Sequence, residues 1–319
     1  MTPNNGDPGF KVNYSLRPAK CIERKMVAEA LHRLNVFHEL KSYQYIGFGS
    51  AWFSDFILVH RSLGIHDMVS IEEDVAHDKR YEFNRPFKCI KLRFGPSNSI
   101  LPTLTLNKQV IIWLDYTCRL NPSVLEDIRY TSSKAIPGSV LIITVNSDPI
   151  SENDFDLISR SVSDKGIDYK QVHAKNKERF GLWATANSYR RMVKDKILLT
   201  LRSRNGVLNQ DDRVHYQQIF NFNYQDSQSK MLTTGGLFFQ EQQKSLVDKC
   251  RFSSSFDFFK PDDDPYLIEV PILTLREIRM LDAQLPADCA IDRHAIPQID
   301  VERYEKIYRY HPAFVEAEL

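Results

Sequence analysis

The sequence predicts an α/β fold: a doubly wound, mostly parallel sheet of seven strands that ends in a C-terminal antiparallel hairpin. An N-terminal helix and a C-terminal helical extension flank it. Three observations lead there. Apolar strand-like runs alternate five times with helix-like segments between residues 43 and 145, the signature of a parallel sheet. The run Val110-Ile111-Ile112-Trp113-Leu114 is apolar without a break, as in a strand covered on both faces. Two later runs, 214–223 and 231–239, flank the polar stretch 224–229 and read as a hairpin.

The elements follow in order. Residues 1–12 are rich in Pro, Asn and Gly and read as a loose leader. Residues 19–40 read as an amphipathic helix, with Ile22, Met26, Ala30 and Leu34 on one face and Pro18 suited to its first turn. The first strand is 43–48. A helix over 52–63 is closed by Gly64. Strand two is 68–72, followed by a charged helix over 74–83. Strand three is 88–94 and ends in Gly95-Pro96-Ser97-Asn98. Strand four is 110–116, and Pro122 opens the next helix. Strand five, 139–145, follows the turn Pro137-Gly138. Residues 151–205 read as a charged helical insertion before the hairpin, and a helix over 274–285 marks the C-terminal part. The expected organisation is leader and helix over 1–40, a main domain over 41–240, and an extension over 241–319 packed on it.

A chain of 319 residues can hold one large α/β domain with an appendage. Its net charge of +1 creates no global field for a nucleic acid or a membrane, so such affinity would need a local patch. Five cysteines with no paired spacing favour reduced thiols and a cytoplasmic protein over a disulfide framework. No signal-type apolar stretch and no membrane-length run are visible.

The chemistry concentrates at three strand ends. Tyr45-Ile46-Gly47-Phe48-Gly49-Ser50 runs from a strand into two spaced glycines, which permit positive φ and a close backbone approach. The functional reading is a cofactor cradle; the plain one is a tight turn. Glu72 ends the second strand, where a carboxylate can accept hydrogen bonds from ribose hydroxyls, with Glu73 or Asp74 left to cap the next helix. Asp115 ends the apolar run of strand four, in the crevice where open sheets bind ligands. It could orient a substrate hydroxyl or amine, act as a general base, hold a metal, or simply cap a turn in solvent.

In this order of signals the chain resembles the class I S-adenosylmethionine (SAM)-dependent methyltransferases over roughly residues 40–240. The opening Arg17-Pro18-Ala19-Lys20 to Glu23-Arg24-Lys25-Met26 is similar to that of a group of bacterial proteins labelled O-methyltransferases. Residues 45–49 stand where the family has an acid-x-Gly-x-Gly-x-Gly loop. Tyr45 replaces the acid, and Ala51 or a neighbour replaces the third glycine. The resemblance implies SAM as cofactor, held by Gly47, Phe48, Gly49, Ser50 and Glu72, with Asn98 near the adenine. It implies Asp115 as the residue that orients or deprotonates the nucleophile and Tyr116 as a wall of the methyl site. Catechol-type relatives hold magnesium with an Asp after strand four and an Asp-Asn pair after strand five. Asp115 and Asn146 are similar to the first and last of these. Val145 cannot ligate, although Asp148 lies nearby, so no metal is expected.

Two basic stretches remain. Residues 165–204 are rich in lysine and arginine with Phe180, Trp183 and Tyr189 interleaved. They read as a solvated helix face or, alternatively, as a surface for nucleic acid or protein. The alternative function is therefore a methyltransferase-like binding or regulatory protein acting through Lys165–Arg204. Arg17, Lys20, Arg24 and Lys25 form a smaller cluster, read first as a solvated face and second as a cover for the cofactor end of the sheet or a surface for a partner. An NAD enzyme fits less well, because the third glycine of its loop is missing. The methyl acceptor cannot be read from the sequence.

Overall fold

The structure is a computed structural model that describes residues 16–162, 167–226 and 228–313. The leader over 1–12, Lys165 and the centre of the hairpin turn at residue 227 lie outside these.

Eight strands form one sheet in the order β3-β2-β1-β4-β5-β7-β6-β8. The first five are β1 (Gln44–Gly47), β2 (Asp67–Glu72), β3 (Ile90–Phe94), β4 (Val110–Arg119) and β5 (Val140–Asn146). They are mutually parallel. The antiparallel pair β6 (Val214–Asp226) and β7 (Ser229–Gln240) closes the sheet, with β7 against β5. An eighth strand, β8 (Tyr266–Ile268), joins the seven expected and runs parallel to β6. Three residues are too few to give a period-two signal in the sequence.

Why strand four reads as apolar throughout is now plain. Ile111 and Trp113 face one core, and Ile112 and Leu114 face the other. The first core is covered by α1 (Pro18–Leu31) and α2 (Ser54–Leu63), and the second by α5 (Pro122–Lys134) and α8 (Ala184–Asn205). The remaining helices are α3 (Asp78–Asn84), α4 (Ser97–Ile100), α6 (Glu152–Val162), α7 (Tyr169–Phe180), α9 (Lys244–Lys249), α10 (Phe252–Ser255), α11 (Leu275–Asp282) and α12 (Gln298–Ile307). A third, smaller cluster of Leu281, Ile296, Val301 and Tyr304 belongs to the C-terminal segment.

Boundaries moved where side chains compete for the backbone. The helix expected over 19–40 stops at Leu31 and tightens into a 3-10 turn, His32–Val36. The Asn35 side chain then accepts the Leu40 N–H at 3.3 Å and starts the descent into β1. Gly64 closes α2 at φ +68°, as the sequence indicates. Asp74 caps the turn after β2 by accepting from the Ala76 N–H. Strand β4 does not end after Asp115: its pairing with β5 breaks there and resumes at Arg119 opposite Asn146. Asp115 thus sits at an irregularity in the sheet. Among the described residues no helix is long and apolar enough to cross a membrane.

Candidate functional site

The strand order reverses between β1 and β4, so their C-terminal ends diverge and leave a crevice. A cavity of about 470 Å³ opens there, with Gly49, Ser50, Glu72, Ser97, Asp115 and Tyr116 among its walls. That volume suits a ligand of cofactor size.

One wall is the loop after β1. The Gly49 N–H is shared between Ser70 Oγ and Glu72 Oε1, each at 2.9 Å. The Ser70 hydroxyl donates to the same Glu72 oxygen at 2.5 Å. Glu72 is 4% exposed, yet it lines the cavity. Gly49 is needed for close approach: a Cβ there would lie 2.5 Å from the Phe53 ring and 2.6 Å from Ser70 Oγ. Positive φ, anticipated at the glycines, occurs instead at Ser50 and Phe53. Gly47 packs below the cavity, where its Cβ position lies 3.0 Å from the Trp113 carbonyl and 3.1 Å from the Tyr45 hydroxyl.

The opposite wall is built by α1, and here the reading of its basic residues as a solvated face is corrected. Lys20 and Arg24 are buried. The Lys20 ammonium lies 2.9 Å from Asp115 Oδ2 and 2.7 Å from Glu23 Oε2. It donates to the Tyr224 hydroxyl at 3.3 Å and stands 5.0 Å from the centre of the Trp113 ring. Burial alone would lower its pKa, but the Asp115 and Glu23 carboxylates outweigh burial and hold it well above the ordinary lysine value. Glu23 is fully buried, and burial raises its pKa against the pull of Lys20. It accepts from Tyr224 at 3.2 Å and from the Thr233 hydroxyl. Arg24 pairs with Asp55, on the first turn of α2. The second reading of this cluster, as a cover for the cofactor end of the sheet, matches its position.

Tyr116 reaches sideways. Its hydroxyl donates to Asp127 Oδ2 at 2.6 Å, as does that of Ser97 at 2.5 Å. Burial and then Asp127 push the phenol's pKa well up, so Tyr116 offers a neutral ring. That ring meets Phe48 edge-on at 5.1 Å. Asn98 is not brought to the cavity: it is exposed and bonds Ser123, while its neighbour Ser97 lines the wall. Tyr45 is buried, and its hydroxyl has no hydrogen-bond partner among the described residues.

A magnesium ion does not fit these residues. A lysine ammonium occupies one side of Asp115, and Val145 is apolar and buried. Asp148 accepts from Asn146 and from the Lys230 N–H. The basic stretch also looks different folded. Arg190 is 2% exposed and pairs with Asp263 and Gln218. Lys170, Arg179 and Arg191 pair with Asp156, Asp264 and Asp195. Tyr189 lies in the second core rather than on a stacking surface.

A second depression of about 500 Å³ adjoins the cavity and shares Thr117, Cys118 and Asn146 with it, with Leu157 and Ile158 on its far side.

Among solved structures, the chain is similar to the O-methyltransferase TomG from Streptomyces achromogenes, involved in tomaymycin synthesis and solved with SAM. Identity is 15% over 74% of this chain and 91% of that one, with a TM-score of 0.38. It is similar also to cofactor-bound Rv0187 from MTB, at 14% identity over 74% and 92%, with a TM-score of 0.35. Archaeal fibrillarin from Methanococcus jannaschii, a pre-rRNA processing protein, matches at 11% identity over 63% and 68%, with a TM-score of 0.36. No curated protein matches the sequence. The family model described as "Putative O-methyltransferase" matches residues 12–319, nearly the whole chain, and the protein belongs to that family.

Proposed function

We propose that the protein is a SAM-dependent methyltransferase whose cofactor lies in the cavity between Glu72 and Asp115. The observation that carries this reading is the buried Glu72 carboxylate, which ties the loop after β1 to the tip of β2 and still lines the cavity. When bound there, SAM supplies an electrophilic methyl group. Glu72 accepts hydrogen bonds from the ribose hydroxyls, and Gly49 and Ser50 offer backbone at close range. Gly95 and Ser97, which line the cavity as Asn98 does not, would hold the adenine end. Residues 41–240 carry the cofactor cradle, and α1 (Pro18–Leu31) completes the site with Lys20 and Arg24.

Asp115 and Lys20 handle the acceptor. A hydroxyl placed against this ion pair meets a carboxylate that takes its proton and an ammonium that stabilises the oxyanion left behind. The acceptor enters through the adjoining depression, past Thr117 and Cys118. Tyr116 and Phe48 hold it in line with the methyl group by shape alone. The five free cysteines suit a cytoplasmic setting.

Isothermal titration with SAM and its demethylated product tests the reading. Heat of binding at micromolar concentration is expected. No heat at hundreds of micromolar defeats it. Once an acceptor is found, Asp115→Asn should lower kcat about 10²–10⁴-fold, the usual worth of a positioned base.

A further inference from the structure

The far end of the sheet, away from the cavity, carries a second group of reactive side chains. His60 lies on the last turn of α2, His66 just before β2, and Cys89 just before β3. One ligand atom from each falls within 4.8 Å of the other two, the one such cluster of His, Cys, Asp or Glu among the described residues. We propose that His60, His66 and Cys89 form a binding site for a divalent cation of the zinc class.

The geometry supports it in three ways. Cys89 Sγ is 3.8 Å from His60 Nδ1, and the two imidazole rings meet edge-on with centroids 4.9 Å apart. The His60 ring is already oriented, because Nδ1 lies 2.9 Å from the Ile65 carbonyl. Nδ1 is the nitrogen that faces both Cys89 and that carbonyl, so an ion held between His60 and Cys89 takes the Nδ1 lone pair in exchange for the carbonyl contact, with the ring proton on Nε2. The backbone is fixed as well: Gly64, in the left-handed region, returns its N–H to the His60 carbonyl at 3.1 Å. The Phe87 ring backs His60 at 4.2 Å.

The donor set chooses the ion. Two imidazoles and a thiolate favour zinc over magnesium or calcium, which take hard oxygens. With zinc–nitrogen and zinc–sulfur bonds of about 2.0–2.3 Å, tetrahedral ligands stand about 3.5 Å apart. The exposed His66 ring has to close the remaining gap by rotation. Binding converts the Cys89 thiol to thiolate and releases its proton to solvent. Three protein ligands leave one position for water or for a group from outside. The bound ion would tie the end of α2 to the starts of β2 and β3.

The test uses the full chain, stripped with a chelator and titrated with Co²⁺ and then Zn²⁺. One equivalent of Co²⁺ should give a sulfur-to-cobalt charge-transfer band and tetrahedral visible absorption, which Zn²⁺ then displaces. Cys89→Ser should abolish that band, and His60→Ala and His66→Ala should each weaken binding about 10–100-fold. SAM binding should stay unchanged in all three. In the wild-type chain, Zn²⁺ should slow alkylation of Cys89, located by peptide mass mapping, at least about tenfold. A wild type without the thiolate band, a band that survives Cys89→Ser, or an alkylation rate indifferent to Zn²⁺ overturns the proposal.

Discussion

Replacing Glu72 separates what this carboxylate does for the fold from what it does for a ligand. In Glu72→Ala the Gly49 N–H and the Ser70 hydroxyl lose an acceptor that now stands 2.9 and 2.5 Å away. Hydrogen bonds to a charged group are worth about 1.5–3 kcal/mol each. Water from the cavity can replace part of that, and Gly49 and Ser70 keep each other, so the expected loss of stability is about 2 kcal/mol. For a chain of this size that is a fall of a few degrees in Tm. SAM binding should suffer more. Two ribose hydrogen bonds to a carboxylate account for about 3 kcal/mol, or roughly 100-fold in Kd. Glu72→Gln keeps an oxygen for Gly49 and Ser70 but gives up the charge. It should melt close to the wild type and bind SAM about tenfold more weakly. Thermal melts beside isothermal titration read both quantities. A folded Glu72→Ala protein that binds SAM as tightly as the wild type refutes the assignment. A Gln variant as unstable as the Ala variant refutes the division of labour.

Other perturbations test the rest of the site. Lys20→Met leaves the Glu23 and Asp115 carboxylates without their buried cation and should cost about 3–5 kcal/mol in denaturant melts. Burial already raises the Glu23 pKa and Lys20 opposes that, so without Lys20 part of the loss should return as the pH is lowered and Glu23 protonates, and disappear again as the pH rises. Arg190→Ala removes the buried partner of Asp263 and Gln218; it should destabilise by about 2–3 kcal/mol without changing SAM affinity, and a stable variant that loses nucleic-acid binding would revive the alternative function. Burial pushes the Cys250 thiol up to about 11. Its proton is held more tightly folded than unfolded, so this contribution is present below the ordinary thiol value and fades as the pH climbs toward 11. Cys250→Ala should shrink the alkaline drop in Tm by the equivalent of about 1 kcal/mol, discounted for solvent screening.

The sheet was legible because its physics is local. An uninterrupted apolar run means two buried faces, and Ile111 to Leu114 alternate between the two cores as that run requires. Glu72 and Asp115 were legible for a related reason: the end of a parallel strand is also the edge of the crevice. Tyr116 lines the cavity, but its bond to Asp127, which comes from α5, has no signal in the sequence. The pairing of Lys20 with Asp115 has no signal in the sequence, although its basic cluster stands out there. Lys20 lies 95 positions earlier in a helix whose charges look like an ordinary wet face, and only the packing of α1 over the strand ends makes it the residue against Asp115. Asn98 does not line the cavity, because it is exposed and bonds Ser123, while its neighbour Ser97 does. For His60, His66 and Cys89 no spacing rule applies, since three different element ends bring them together.

Tyr45 stands where the resemblance to the class I methyltransferases puts an acid, and its surroundings suit a neutral side chain there. The acids Asp55 and Asp115 are close enough to raise its pKa after burial has done so, while Arg24 and Lys20 pull the other way. Each of those cations already has a carboxylate: Arg24 holds Asp55, and Lys20 holds Asp115 and Glu23. A fourth carboxylate at position 45 would find neighbours of its own sign while Arg24 and Lys20 are already paired, in a place with no access to solvent. A neutral phenol avoids that cost and fills the space against Phe56, whose ring meets it edge-on at 4.9 Å. Its hydroxyl has no partner among the described residues and lies beneath Gly47 rather than in the cavity wall. Tyr45→Phe should therefore be neutral or stabilising by up to about 1 kcal/mol, with SAM affinity unchanged. Tyr45→Glu should destabilise by more than about 3 kcal/mol at neutral pH and recover in acid, as the new carboxyl protonates. Melts of both variants between pH 5 and 8, with titrations of SAM into each, decide the matter. A Tyr45→Glu protein that is stable at neutral pH and binds SAM more tightly would mean that the site still wants the family's acid, and that the charge count drawn from Arg24 and Lys20 is wrong.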